Sequence, residues 1–185
     1  MFSFKPLGIK DAWIYESELF ADHRGSFAEW FRVDHLSDSL HREFNVVQAN
    51  TAYSKKGVIR GIHFSVSKNG QAKWVRCLNG SIWDVVVDLR PDSPTFKKWD
   101  AVTLSADSGK SIFISEGLGH GYLAMTDQTV VSYLLNSKYS PKEELTINPF
   151  DEDLAIKWPY DQFFLSDRDL RAPSLNSLLD VIYLK

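Results

Sequence analysis

The sequence predicts a mainly β protein, a sandwich or barrel with short peripheral helices. From Val46 onward, β-branched and aromatic runs bounded by turn residues follow one another, and no second long helical pattern appears before residues 174–184. Aromatic residues make up 14% of the chain and charged residues 24%, a composition of packed β structure with apolar surface to spare and not of disorder. Asn79-Gly80, set between two apolar runs, has the spacing and residue types of a two-residue hairpin turn.

A chain of 185 residues fits one domain, residues 1–185, with no linker and no internal repeat. The net charge of -3 gives no overall attraction for nucleic acid or an anionic membrane, so an anionic ligand must be held by local cations. A single cysteine, Cys77, permits no internal disulfide, and no apolar run approaches the ~20 residues of a membrane span. The expectation is a cytoplasmic protein, without nucleic-acid or membrane partners.

In chain order, residues 13–20 read as a strand, Asp22-His23-Arg24-Gly25 as its turn, and residues 26–32 as the next strand. Residues 34–44 read as a helix, with Asp34 as N-cap and Leu36, Leu40 and Phe44 as an apolar stripe. His35 and His41 are six apart, off metal-ligand spacing, and read as surface residues.

A hairpin at Asn79-Gly80 pairs residues 73–78 with 81–89 and fixes their faces. Lys73, Val75, Cys77, Ile82, Asp84 and Val86 then share one side; Trp74, Leu78, Trp83, Val85 and Val87 share the other. With both sides largely apolar, one faces the interior and the other needs a second sheet or a second subunit, which predicts a homodimer. Lys73 and Asp84 on an inward face are expensive unless paired, solvated or used.

Gly57-Val58-Ile59-Arg60-Gly61-Ile62-His63-Phe64 reads as a strand whose alternation separates Arg60 from His63, unless a bulge at Gly61 shifts the phase. Further on, Ser93-Pro94-Thr95-Phe96 turns into a strand, and His120 lies between Gly119 and Gly121, in a bend where backbones pack closely. Tyr133 sits in an apolar run and needs a partner for its hydroxyl. Asp167-Arg168-Asp169 is by composition a solvated turn, and the C-terminal helix reads as packing.

Taken in order, Asp22-His23-Arg24-Gly25-Ser26-Phe27, Gln48-Ala49-Asn50, Arg60-Gly61-Ile62-His63-Phe64, Asp84-Val85-Val86-Val87-Asp88, Ser93-Pro94-Thr95-Phe96, Gly119-His120-Gly121, Tyr133 and Ser166-Asp167-Arg168-Asp169 resemble the dTDP-4-dehydrorhamnose 3,5-epimerase family. The resemblance implies a cupin-type jelly-roll barrel, a double-stranded β-helix. It implies a nucleotide-linked 4-keto-6-deoxyhexose substrate and no cofactor and no metal: the ketone acidifies C3 and C5, so epimerisation needs only proton removal and return through an enolate. In that light His63 is the base, Asp169 its carboxylate partner, Tyr133 the proton donor and Lys73 the enolate-stabilising cation. Arg24, Glu29, Gln48, Asn50, Arg60, Lys73, His120, Glu144 and Arg168 match substrate-binding positions.

Two other classes compete. A metal-dependent cupin enzyme shares the barrel but uses a His-x-His pair, whereas His63 is flanked by Ile62 and Phe64. A non-catalytic nucleotide-sugar binding protein has no need of the His, Asp, Lys and Tyr set. Ala72-Lys73 in place of Gly-Lys, Lys138-Tyr139 in place of paired tyrosines, and Glu29-Trp30-Phe31-Arg32 move the chain toward epimerases that act at C3 alone.

Overall fold

The structure is a computed structural model that describes residues 2–183. Its strands are β1 (Ser3–Pro6), β2 (Ala12–Glu16), β3 (Phe20–Asp22), β4 (Gly25–Phe27), β5 (Gln48–Ser54), β6 (Ile59–Ser65), β7 (Lys73–Asn79), β8 (Ser81–Asp88), β9 (Trp99–Ser105), β10 (Lys110–Ile114), β11 (Leu118–Ala124), β12 (Thr129–Leu135) and β13 (Glu144–Thr146). The helices are α1 (Val33–Leu40), α2 (Asp167–Leu170) and α3 (Leu179–Tyr183). One sheet runs β1-β2-β10-β7-β12-β5 and the other β13-β6-β11-β8-β9, antiparallel throughout. This is the double-sheet jelly roll of the cupin type.

The predicted hairpin is not there. Strand β7 pairs with β10 and β12, while β8 pairs with β11 and β9, so Asn79-Gly80 carries the chain from one sheet into the other. The cause is the two-sided apolarity already visible in both strands. A strand buried on both faces is satisfied in the middle of a sheet, and the fold gives each its own sheet. Gly80 turns the corner at φ 73°, where a Cβ would stand 2.1 Å from Thr126 Oγ1.

The face assignment survives this change of topology, because the two inner faces oppose each other. Val75, Cys77, Ile82, Val86, Ile112 and Val131 fill the space between the sheets. Both outer faces are covered from within the chain. Trp74, Tyr15 and Phe113 pack under Leu36 and Phe44, and Ile62, Val85 and Val87 pack under Ile147, Leu154, Leu175 and Ile182. Truncating fully buried Leu36 to Ala would cost about 2–5 kcal/mol.

Local boundaries differ in instructive ways. Helix α1 starts at Val33 behind Arg32, and Asp34 makes no cap: it sits in the first turn and takes two hydrogen bonds from Arg32 Nε and Nη2 at 2.8 and 2.7 Å. The left-handed φ of 52° at His41 ends the helix early, and Phe44 reaches the apolar cluster from the following loop. The predicted first strand splits into β2 and β3, and the second shrinks to β4. Among the described residues, strands β3 and β4 pair only with each other, and they leave Phe20 and Phe27 exposed. At the C-terminus a 3₁₀ turn, Asn176–Leu178, precedes α3; the predicted end at residue 184 lies outside the described residues.

Candidate active site

Strand β6 settles the question its glycine raised. Opposite β11, His63 pairs with His120 and Arg60 with Tyr122, so three steps along β6 face two along β11. The extra residue is a bulge at Gly61, and it turns Arg60 and His63 to the same side, where both line one cavity. Gly61 has a φ of 122°, and a Cβ there would stand 2.5 Å from Gly121 Cα and 2.7 Å from the His120 carbonyl oxygen. Ile62 faces the opposite way into the outer cluster.

Asp169 reaches His63 because the segment before α2 is tied to the start of β6. Phe164 N–H donates to the Gly57 carbonyl and Ile59 N–H to the Phe164 carbonyl, both at 2.9 Å. Ser166 caps α2 by accepting from Asp169 N–H at 3.1 Å. The Asp169 carboxylate then lies 2.7 Å from His63 Nε2. Burial pushes its pKa up, but hydrogen bonds from His63, Ser166 and the Gly61 backbone outweigh this and hold it below the usual carboxylate range. An ionised carboxylate only accepts, so Nε2 carries the ring proton and Nδ1 keeps a free lone pair. Asp167-Arg168-Asp169 is therefore no solvated turn at its last residue, which is buried.

His120 belongs to strand β11 and not to a bend, although the glycines beside it do allow close backbone packing: Cβ atoms at Gly119 and Gly121 would stand 2.8 and 2.7 Å from Ile62. Its Nε2 lies 2.9 Å from Asp84 Oδ2. Asp84 is completely buried, and among the described residues its Oδ1 has no hydrogen-bond partner.

Lys73, at the head of β7, enters from the opposite sheet. Its Nζ lies 4.0 Å from Glu144 Oε1. Burial lowers its pKa, against the pull of the Glu144 and Asp84 carboxylates. Tyr133 comes from β12, where it pairs with Asn50 of β5 on one side and Val75 of β7 on the other.

His63, Lys73, His120, Tyr133, Asn50, Arg60, Glu144 and Arg168 thus line a cavity of about 220 Å³. Gln48 stands behind it, donating to Asn50 Oδ1 at 3.0 Å and accepting from Tyr139 N–H at 2.9 Å. Arg24 and Glu29 are not brought to it. Arg24 forks onto Asp22 at the tip of the β3–β4 hairpin, and Glu29 sits by Arg32 and His35 on the outer face. Sequence reasoning missed Tyr122, Gln71 and the cavity-facing role of Tyr139. Tyr122 carried a signal, since it lies two residues from His120 on one strand and so shares its face. Among the described residues no group of three or more His, Cys, Asp or Glu stands at metal-binding distance.

The cavity joins an imidazole backed by a carboxylate, a phenol from the opposite sheet and a buried lysine, with Arg60 and Arg168 on its lining. The comparisons agree with that chemistry. A family model for dTDP-4-dehydrorhamnose 3,5-epimerase matches residues 6–177. The chain belongs to the dTDP-4-dehydrorhamnose 3,5-epimerase family. A Mycolicibacterium smegmatis dTDP-4-dehydrorhamnose 3,5-epimerase is 45% identical over 172 residues, covering 92% of this chain and 85% of the relative. The crystal structure of a 4-keto-6-deoxy sugar epimerase from the novobiocin biosynthetic gene cluster of Streptomyces spheroides superposes with a TM-score of 0.94 at 40% identity, covering 97% of this chain and 90% of that one. A 3′-monoepimerase from Streptomyces bikiniensis in complex with dTDP-quinovose gives 0.91 at 41% identity, with 95% and 89% covered. Both one-centre and two-centre epimerases of the family therefore stand at similar distance from this chain.

Proposed function

We propose that the chain is one cofactor-independent epimerase domain acting on a dTDP-4-keto-6-deoxyhexose, inverting C3 and working on C5 slowly or not at all. The observation that carries this reading is the His63–Asp169 pair on one wall of a cavity whose other wall supplies Lys73 and Tyr133. His63 Nδ1 removes the proton next to the ketone, and Asp169 stabilises the imidazolium that results. Lys73, with His120 nearby, meets the negative charge that develops on the C4 oxygen, in a site where burial strengthens the interaction. Tyr133 returns a proton from the opposite face, its phenol hydroxyl serving as the donor. Arg60 and Arg168 offer guanidinium forks to the diphosphate, with Asn50, Gln48 and Glu144 as polar contacts.

Arg24 and Glu29 complete this set only in a homodimer. The β3–β4 hairpin has no partner strand among the described residues and presents Phe20 and Phe27 to solvent, as an arm that docks on a second copy does. Light scattering tests this: a dimer that Phe20→Ser with Phe27→Ser weakens is expected, and a monomeric wild type overturns it. A cytoplasmic location belongs to the same reading; the single cysteine is free and buried. No helix of the described residues is long and apolar enough to cross a membrane.

Incubation with dTDP-4-keto-6-deoxyglucose in deuterated water tests the activity. Label entering C3, lost on His63→Ala, is expected; unchanged labelling in that variant ends the proposal.

A further inference from the structure

Arg60 is exposed at the cavity, yet half of its guanidinium is already committed. Its Nε–H donates to Ser54 Oγ at 3.2 Å and its Nη2 to the Tyr53 carbonyl at 3.0 Å. Those two donors form one edge of the fork, so the adjacent Nη1–Nη2 edge is the one that retains two parallel donors for a ligand. Ser54 closes β5, in the six-stranded sheet, while Arg60 and Tyr122 stand on β6 and β11 of the other. Ser54 Oγ also lies 3.2 Å from the Tyr122 hydroxyl, and both residues are buried. A serine hydroxyl that accepts from an arginine keeps its own proton, so it donates to the phenol oxygen, or accepts from it through its second lone pair.

We propose that Ser54 and Tyr122 are positioning residues that lock the Arg60 guanidinium across the two sheets, with its free edge aimed at a nucleoside diphosphate in the cavity. This rests on the diphosphate-binding role proposed for Arg60. The physical gain is pre-organisation. An arginine is a flexible side chain, and holding one edge beforehand reduces the ordering left to occur when the ligand arrives. Burial pushes the Tyr122 phenol up, with Ser54 and Arg60 pulling the other way, so it stays neutral and suits the link without adding a charge.

Calorimetric titration of the full chain with dTDP, which carries the diphosphate and no sugar, tests the lock. Ser54→Ala should weaken binding by about tenfold, the scale of one hydrogen bond to a charged group. Tyr122→Phe, which keeps the ring and its packing, should weaken it less. Ser54→Thr, which restores the hydroxyl, should recover most of the loss. In an Arg60→Ala background, Ser54→Ala should have no further effect. The proposal is overturned if the Ser54→Ala penalty persists undiminished without Arg60, if both single variants bind as the wild type does, or if the wild type binds no dTDP. A wild type that binds dTDP and fails to exchange deuterium breaks the epimerase reading, while the same cycle still decides this one.

Discussion

Two histidine–aspartate pairs stand side by side, since His63 and His120 are cross-strand neighbours, and the difference between them separates two kinds of work. His63 keeps 28% of its side chain accessible, and its carboxylate partner sits on a short helix that can place it behind the ring, with several donors holding it ionised. His120 keeps 9%, and its partner Asp84 is fixed in β8, beside β11, with one oxygen unpaired among the described residues. A ring that is reachable and backed by a satisfied anion suits proton transfer. A ring buried against an incompletely satisfied anion suits holding charge in place, and Asp84 also acts on buried Lys73. Chemically similar pairs are thus given different roles by exposure and by how the carboxylate is anchored.

The largest expected effect comes from removing the reachable ring. His63→Ala should cut solvent deuterium incorporation by about 10²–10⁴-fold, the usual share of a general base. Asp169→Asn should approach that loss, because an asparagine can donate to Nε2 and so favour the wrong tautomer, an effect on the order of 10⁴ in a comparable triad. Asp84→Asn should cost about tenfold, since the ring it holds is not the one proposed as the base. Equal losses from the two asparagine variants would erase the distinction between the pairs. Tyr133→Phe should slow formation of epimerised product by about 10²-fold while exchange continues, because removal and return use different residues. Parallel loss of both readouts would place Tyr133 in the removal step.

The pH dependence sharpens the same contrast. In the proposed mechanism Lys73 acts as a cation, and burial lowers its pKa, so activity should fall on the alkaline side before the ordinary lysine value of about 10.4 is reached. Asp169 works in the opposite sense. Its folded pKa is depressed, so its bond to His63 contributes stability fully above the unfolded value of about 3.9 and loses it as pH falls through the lower folded value. Thermal melts of wild type and Asp169→Asn should therefore converge as pH falls through that lowered folded value. Melts that remain equally far apart at acid pH would mean that the variant is lost through packing instead.

How much of this was legible in the chain depended on the range of the signal. Period-two alternation grouped Lys73 with Val75 and Cys77, and Asp84 with Ile82 and Val86; the hairpin used to join the two groups on one face is absent, and they oppose each other from two sheets instead. Pairing partners were not legible, because a two-residue Asn-Gly turn is as able to cross between sheets as to close a hairpin when both flanking strands are apolar on both faces. The phase shift at Gly61 appeared in the sequence only as an alternative, since the crowding against Gly121 that selects it is a tertiary contact. Asp169 lies 106 residues from His63, and nothing local marks it as a buried partner. Tyr122 was overlooked although its strand periodicity announced it.

The smallest expected effect concerns which carbon is worked on. After C3 inverts, attack at C5 requires the same base to reach a second proton, so slight displacement of the acid side can remove the second step alone. Of the two departures that motivated a C3-selective reading, Ala72 is fully buried in the outer cluster with Trp74 and Phe113, and its N–H is held by Asn136 Oδ1 at 2.8 Å. Its side chain faces away from the cavity and can act only through the backbone of Lys73. Lys138 precedes Tyr139, which does line the cavity. Wild type should therefore take deuterium rapidly at C3 and slowly or not at all at C5. Ala72→Gly should leave that ratio within about threefold, and Lys138→Tyr should raise C5 labelling more, by a change of under about tenfold set by small shifts in placement. Nuclear magnetic resonance of the recovered sugar reads both positions at once. Comparable label at C3 and C5 in the wild type would show that the chain works on both centres, and that the two departures leave the second proton within reach of His63.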